Sequence, residues 1–288
     1  MSPVTSLARR LVPGRAGRDD PQVVLISGGA RGIGAALARA HRARGDTVVV
    51  ADRDPLHDDD LVLDVRDRDA YRRLAQEVVA THGRIDIFYN NAGIGVAGVQ
   101  EEMTPQHWQE QIDVNLLGVV HGVDAVYPLV CQQGHGRLVI MASLAGLLPI
   151  PAMIPYSSVK SAVVTLGRAL RVEARRHGVQ VNIVCPAFVA TPLLTNINPG
   201  LPATGANEVG VRLVRQVQGG PMDPDRLAAV VLKALPKDPE MILAPWPTAH
   251  LAVLGERLVP AVGRRVSGLF LRRYLRLTAQ AQEQSGEG

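Results

Sequence analysis

The apolar run at 22–27 (QVVLIS) ends in the turn Gly28-Gly29-Ala30-Arg31-Gly32-Ile33-Gly34, and residues 35–44 then carry a helical pattern closed by Gly45. Strand, glycine turn and helix in that order let a backbone come close to a pyrophosphate, whose charge is met by amides at the helix N-terminus. The spacing is GxxxGxG, distinct from the GxGxxG of the commonest dinucleotide fingerprint, so the turn alone also fits a glycine turn without a ligand.

The alternation continues down the chain. Strands are predicted at 47–51, 61–63, 85–89, 138–142, 179–184 and 241–244, and helices at 67–82, from Pro105 onward, from Tyr156 to about His177, and at 226–235. With 47% hydrophobic residues but only 3% aromatic ones, the core has to be built from Val, Leu, Ile and Ala, the make-up of parallel strands covered by helices. The prediction is an α/β fold: a doubly wound, seven-stranded parallel sheet of the Rossmann type in a single domain, residues 21–248. It includes a lid, rich in Gly, Pro and Asn and read as a loop, at about 191–222. A flexible basic tail at 1–20 and a basic amphipathic extension at 249–288 flank the domain.

The formal charge of +4 belongs to the ends: residues 1–20 hold four Arg against two Asp, and residues 251–288 hold six Arg against three Glu. The body shows no basic face interleaved with stacking aromatics, so no nucleic-acid partner is expected. Cys131 and Cys185 lie far apart without metal-ligand spacing, which predicts two reduced thiols, no metal and a cytoplasmic protein. No apolar run marks a secretory signal in the first twenty residues. No spanning helix is read either, since residues 241–271 are interrupted by His250, Glu256, Arg257, Arg264 and Arg265.

Tyr156 and Lys160 stand one helical turn apart on the same face. A cation within about 4–6 Å favours a phenolate, so the pair makes Tyr156 a candidate acid/base, although such a spacing also describes an ordinary surface pair. Asp52 follows the second strand, near the position about 20 residues beyond the glycines where an acid meets the adenosine ribose. A carboxylate there accepts from the 2′-hydroxyl and repels a 2′-phosphate, which predicts NAD over NADP; Arg31 and Arg53 pull the other way. Asn115, among the apolar positions of its helix, is either a structural clamp or part of a polar site. Ser143 ends the fifth strand, where open α/β sheets place ligands.

Taken together these residues carry a resemblance. Over about 22–244 the chain resembles a classical short-chain dehydrogenase/reductase in its 27–34 glycine turn, Asp64, Asn90-Asn91-Ala92-Gly93, Asn115, Ser143, Tyr156, Lys160 and the 186–191 segment. The resemblance implies that Tyr156 is the general acid/base at a carbinol or carbonyl oxygen and that Ser143 hydrogen-bonds that oxygen. It implies that Lys160 lowers the Tyr156 pKa and holds the nicotinamide ribose, and that Asn115 anchors a water between Lys160 and solvent. Dinucleotide contacts are implied for Ser27, Gly28, Arg31, Gly32, Ile33, Gly34, Asp52, Arg53, Asp64, Val65, Asn91, Ala92, Gly93, Pro186 and Thr191, besides Tyr156 and Lys160. A homotetramer or dimer built on the Pro105 and Tyr156 helices is implied as well. Ser27 stands where the family mostly has Thr, and Ala187 where it mostly has Gly, a change expected to narrow the approach of the nicotinamide.

Beside Ser143 and Tyr156, the substrate pocket is expected to be lined by Leu144, Leu147, Leu148, Ile150, Ala152 and Met153, with Phe188, Leu193 and Leu194 from the lid. None is charged, so an apolar secondary alcohol or ketone, steroid-like or fatty-acyl-like, is the expected substrate. An NADP-dependent carbonyl or acyl reductase and a non-catalytic dinucleotide-binding scaffold are the alternatives. Residues 250–280 set Leu251, Leu254, Leu258, Val262, Val266, Phe270 and Leu277 against six arginines, as a helix broken at Pro260 and Gly263. That pattern predicts either packing on the body or on a neighbouring subunit, or peripheral contact with an anionic membrane.

Overall fold

The computed structural model describes residues 21–286. Seven strands, β1 (Val23–Ser27), β2 (Thr47–Asp52), β3 (Leu61–Val62), β4 (Ile87–Asn90), β5 (Gly136–Met141), β6 (Val179–Pro186) and β7 (Met241–Ala244), form one sheet in the order β3-β2-β1-β4-β5-β6-β7. Every pairing is parallel. The basic stretch 1–20 lies outside the described residues.

Alternate residues of β1 supply opposite cores. Val23 and Leu25 belong to one apolar cluster, Val24 and Ile26 to another, and all four are buried. A strand that is apolar on both faces has to be covered twice. Helices α1 (Gly32–Arg42) and α8 (Pro224–Ala234) cover one face, while α2 (Arg68–His82), α4 (Gly118–Gln133) and α5 (Ile154–Ala174) cover the other. The ends of these helices follow local chemistry: the Asp67 carboxylate accepts from the Ala70 amide at 2.8 Å to start α2, and Gly83, in the left-handed region, stops it.

A further helix, α3 (Pro105–Ile112), runs through a π turn at Asp113–Leu117 directly into α4. The resulting 29-residue helix, Pro105–Gln133, is long and apolar enough by length and composition to cross a membrane, a stretch that the sequence reading did not weigh. Val114, Val119, Val126 and Val130 on it are spent on the core beneath the sheet.

The 191–222 lid is not a loop. It folds into α6 (Pro192–Thr195) and α7 (Gly205–Gln218), the latter capped by Thr204, whose hydroxyl accepts from the Ala206 amide at 3.2 Å. Glycines and asparagines masked the apolar spacing of Ala206, Val209 and Leu213, which are buried. The C-terminal extension forms α9 (Thr248–Leu258) and α10 (Pro260–Gly286), so the chain breaks before Pro260 and Gly263 lies within a continuous helix. Tyr274, Leu277 and Ala281 of α10 are buried with Val209 and Leu213 of α7, so the extension packs on the body.

Helix α1 sits so close beneath the glycine turn that a Cβ on Gly34 would lie 2.1 Å from the Gly28 carbonyl oxygen. Gly34→Ala is therefore expected to cost about 1–3 kcal/mol or more in denaturant unfolding. Gly255→Ala, on α9 with nothing within 4 Å of the added carbon, is expected to be neutral or stabilising by up to about 1 kcal/mol. Equal effects of the two substitutions would refute this account of the turn.

Candidate active site

The strand order reverses between β1 and β4, and a crevice opens at the carboxyl ends of the strands on either side of that point. A cleft of about 530 Å³ occupies it. Gly28, Arg31, Gly32, Ile33, Asp52, Arg53, Asp64, Val65, Asn91, Ala92, Gly93 and Thr191 line it, as do Asp54, Arg66, Gly95 and Leu193. Ser27, Gly34, Tyr156, Lys160 and Pro186, named as contacts from the sequence, are not in the lining. The Ser27 hydroxyl is buried, accepting from the Asn91 amide at 3.1 Å and donating to the Tyr89 carbonyl at 3.3 Å. Gly34 lies beneath the turn, and the Pro186 carbonyl faces the Ser143 hydroxyl at 3.5 Å.

The glycine turn is held open by its neighbours. The Asn91 side-chain amide donates to the Ser27 and Gly28 carbonyls at 3.1 and 2.9 Å, tying the end of β4 to the turn. A Cβ on Gly28 would fall 2.6 Å from the Ala92 Cα, so the backbones meet there with no room for a side chain. At the far end of the cleft, the Asp52 carboxylate accepts from the amides of Ala30 and Asp54, both at 3.1 Å. Asp54, which the sequence did not single out, engages both nearby arginines: Arg53 donates to its carboxylate at 3.0 and 3.2 Å, and Arg31 to its carbonyl at 3.0 Å. Hydrogen bonds from Arg66 hold the Asp64 carboxyl below its ordinary range. Backbone amides at the start of α1 and an acid at the end of β2 are the donor and acceptor set that a dinucleotide requires, so the residues fit such a group.

Helix α5 carries Tyr156 and Lys160 under the cleft, both buried. The Lys160 ammonium donates to the Met141 carbonyl at 2.9 Å and lies 5.7 Å from the centre of the Tyr156 ring. Burial lowers the Lys160 pKa to about 8. Burial also pushes the Tyr156 phenol above its ordinary value, opposed by the neighbouring Ser143 hydroxyl. The lowering expected from Lys160 is not found: burial is the largest influence on the phenol, and the ammonium is bound to the Met141 carbonyl, 5.7 Å from the ring centre. Ser143 follows β5 by two residues in extended conformation, its hydroxyl accepting from the Ala145 amide at 3.1 Å. The Cys185 thiol, on β6, is pushed up to about 12 by burial and stays neutral.

Asn115 sits in the π turn, fully buried. Its Oδ1 accepts from the Ile94 amide at 2.9 Å and its Nδ2 donates to the Ile94 carbonyl at 2.8 Å, so it clamps the segment that leaves β4. The clamp stands at the polar site: a Cβ on Gly93 would lie 2.8 Å from Asn115 Oδ1 and 3.9 Å from Lys160 Nζ. Both ends of the side-chain amide are thus engaged by Ile94.

An apolar pocket of about 40 Å³ adjoins the cleft, and Gly95 and Leu193 border both. Ala152, Met153, Phe188, Leu193 and Leu194 line it as expected. Ser143, Leu144, Leu147, Leu148, Ile150 and Tyr156 do not: Ser143 and Tyr156 are buried beside the pocket, the turn at Leu144–Gly146 is pressed against α5, and Leu147 packs into the core. Phe270 and Tyr274 of α10 take their place with Ile197 and Leu213. The Tyr274 hydroxyl donates to Glu102 at 3.2 Å. The apolar face read for the extension included Phe270 but not Tyr274, and nothing in the sequence aimed it at the pocket.

Residues 22–202 match the short chain dehydrogenase family. The chain is 30% identical over 226 residues to oxidoreductase UcpA of Escherichia coli K12, across 72% of this chain and 86% of that protein. It is 32% identical over 190 residues to the 3-oxoacyl-(acyl-carrier-protein) reductase FabG of Thermotoga maritima, across 61% and 77%. The crystal structure of a short-chain dehydrogenase/reductase from Burkholderia phymatum in complex with NAD aligns at 27% identity with a TM-score of 0.72, over 86% of this chain and 94% of that one. A glycine turn lining a cleft at the carboxyl ends of the strands, a buried Ser143–Tyr156–Lys160 group and these likenesses place the chain in the short-chain dehydrogenase family, as an oxidoreductase enzyme.

Proposed function

We propose that the protein is an NAD-dependent oxidoreductase interconverting an apolar secondary alcohol and its ketone. The observation that carries this reading is the meeting, at Gly95 and Leu193, of a cleft ending in Asp52 with a pocket walled by apolar side chains. Similarity to a structure solved with NAD and to a reductase of 3-oxoacyl substrates supports it.

A nicotinamide dinucleotide in the cleft supplies the hydride chemistry. The chain's own residues bind and move a proton. Amides of Gly32 and Ile33 meet the pyrophosphate, Asp52 accepts from the adenosine ribose, and Asp64, Val65, Asn91 and Thr191 line the remainder. Lys160 holds the nicotinamide ribose, and its charge stabilises the phenolate as it forms. Ser143 donates a hydrogen bond to the substrate oxygen where negative charge develops. Tyr156 gives that oxygen its proton in ketone reduction and removes it in alcohol oxidation. Burial keeps the phenol protonated at neutral pH, a resting state suited to reduction.

The pocket, at about 40 Å³, is closed by α7 and α10, so a steroid-like or fatty-acyl-like substrate enters only when those helices part. Assembly as a homotetramer or dimer through α4 and α5 belongs to the same reading, with Val172 on α5 72% exposed for such a contact. A second reading, an NADP-dependent carbonyl or acyl reductase, is favoured by Arg31 and Arg53 at the cleft edge. Both arginines are engaged by Asp54, which favours NAD.

Turnover of a panel of apolar ketones with NADH tests the reaction. Tyr156→Phe is expected to lower kcat/KM by roughly 10²–10⁴ while leaving the Kd for NAD unchanged. Since the phenol titrates above neutral pH, kcat/KM for reduction should fall, and that for oxidation rise, as pH climbs through its pKa. Full turnover by the phenylalanine variant would remove Tyr156 from the acid/base role, and dinucleotide binding without turnover by the wild type would restore the scaffold reading. For Asp52→Ala, affinity for NAD is expected to weaken about tenfold to a hundredfold with NADP unchanged or tighter, and unaltered discrimination would move the protein to the NADP reading.

Holding the Lys160 ammonium in its buried place costs about 3 kcal/mol at neutral pH. Between pH 8 and the ordinary lysine value of 10.5, the unfolded chain keeps the proton that the folded one has lost, so wild-type stability rises with pH across that window. Lys160→Met should thus be inactive yet more stable than the wild type at pH 7, with the advantage shrinking above pH 8. Denaturant unfolding at the two pH values decides it; a less stable variant at pH 7 contradicts the penalty.

A further inference from the structure

On α9, Leu251, Leu254 and Leu258 follow one another at i, i+3 and i+7 and are 51–70% exposed, while Ala249 and Val253 are buried on the opposite side. On α10, Val262, Val266 and Leu269 repeat the pattern at i, i+4 and i+7, 52–60% exposed, while Tyr274 and Leu277 turn inward to α7. Trp246, at the entry to α9, is 74% exposed. Helices already docked by one face thus present a second apolar face to solvent.

The charge around this face is predominantly positive. Helices α9 and α10 hold six arginines, Arg257, Arg264, Arg265, Arg272, Arg273 and Arg276, against two acids, Glu256 and Glu283. All six are exposed, and no ion pair involves any of them among the described residues. A second copy seated on the face in a two-fold contact would set arginine against arginine with only Glu256 and Glu283 to neutralise them. An anionic lipid surface complements both parts, taking the leucines, valines and Trp246 among its acyl chains and the guanidinium groups among its phosphates.

We propose that α9 and α10 dock the enzyme onto an anionic bilayer, lying in the interface without crossing it. The test is flotation of the full chain with vesicles of phosphatidylcholine and phosphatidylglycerol, set against phosphatidylcholine alone. Binding to the mixed vesicles only, weakened by salt, is expected, with a loss of roughly fivefold for each arginine changed to glutamine. The double variant Leu258→Asp and Val266→Asp should lose vesicle binding while keeping the wild-type melting temperature, since both side chains face solvent. Undiminished binding by that variant, equal binding to phosphatidylcholine alone, or no binding to either vesicle overturns the proposal. A fall in the variant's oligomer mass in sedimentation also overturns it, in favour of a second copy on this face. None of these readouts depends on the substrate or cofactor assigned above.

Discussion

Every strand near the middle of the sheet must bury both of its faces, and the rest of the molecule answers that requirement. Val23 and Leu25 go into one core, Val24 and Ile26 into the other, so no arrangement with a single helical layer satisfies β1. Helices on both sides force right-handed crossovers that diverge where the strand order reverses. The crevice under the glycine turn is a consequence of how a two-faced sheet is covered.

The chemistry at the crevice works against stability. A lysine, a tyrosine and a cysteine are buried within one neighbourhood, and burial disfavours the charged form of each. The Met141 carbonyl, the Ser143 hydroxyl and the Asn115 clamp hold the polar groups in place. Apolar residues would fill this volume at lower free energy, so the polar group is best understood as selected for its reaction.

Function is spread further along the chain than the sheet itself. The wall of the apolar pocket comes from α7 and, through Phe270 and Tyr274, from α10, beyond the last strand. One side of α10 thus shapes the pocket while the other side faces solvent with its arginines, which joins substrate access to whatever surface the extension meets.

Local chemistry made much of this readable in advance. Apolar runs, glycine stops and the Asp67 cap are short-range signals, and they placed β7 and the start of α2 to the residue or nearly so. Gly28, Asp52, Asn91 and Thr191 reach the cleft because each follows a strand or opens a helix, and strand ends are fixed by sequence pattern. What the sequence concealed depends on contacts between distant segments. The helix α7 was hidden by its glycine and asparagine content until burial against α10 stabilised it. Leu144 left the pocket because its turn is pressed onto α5. The phenol of Tyr156 moved up in pKa because desolvation, a property of the folded interior, outweighed the hydrogen bond of the Ser143 hydroxyl. Order of elements and residue types along the chain determined the sheet and the positions of the site; packing between elements remote in sequence decided who lines the pocket and which way each buried group titrates, since burial exists only once those elements meet.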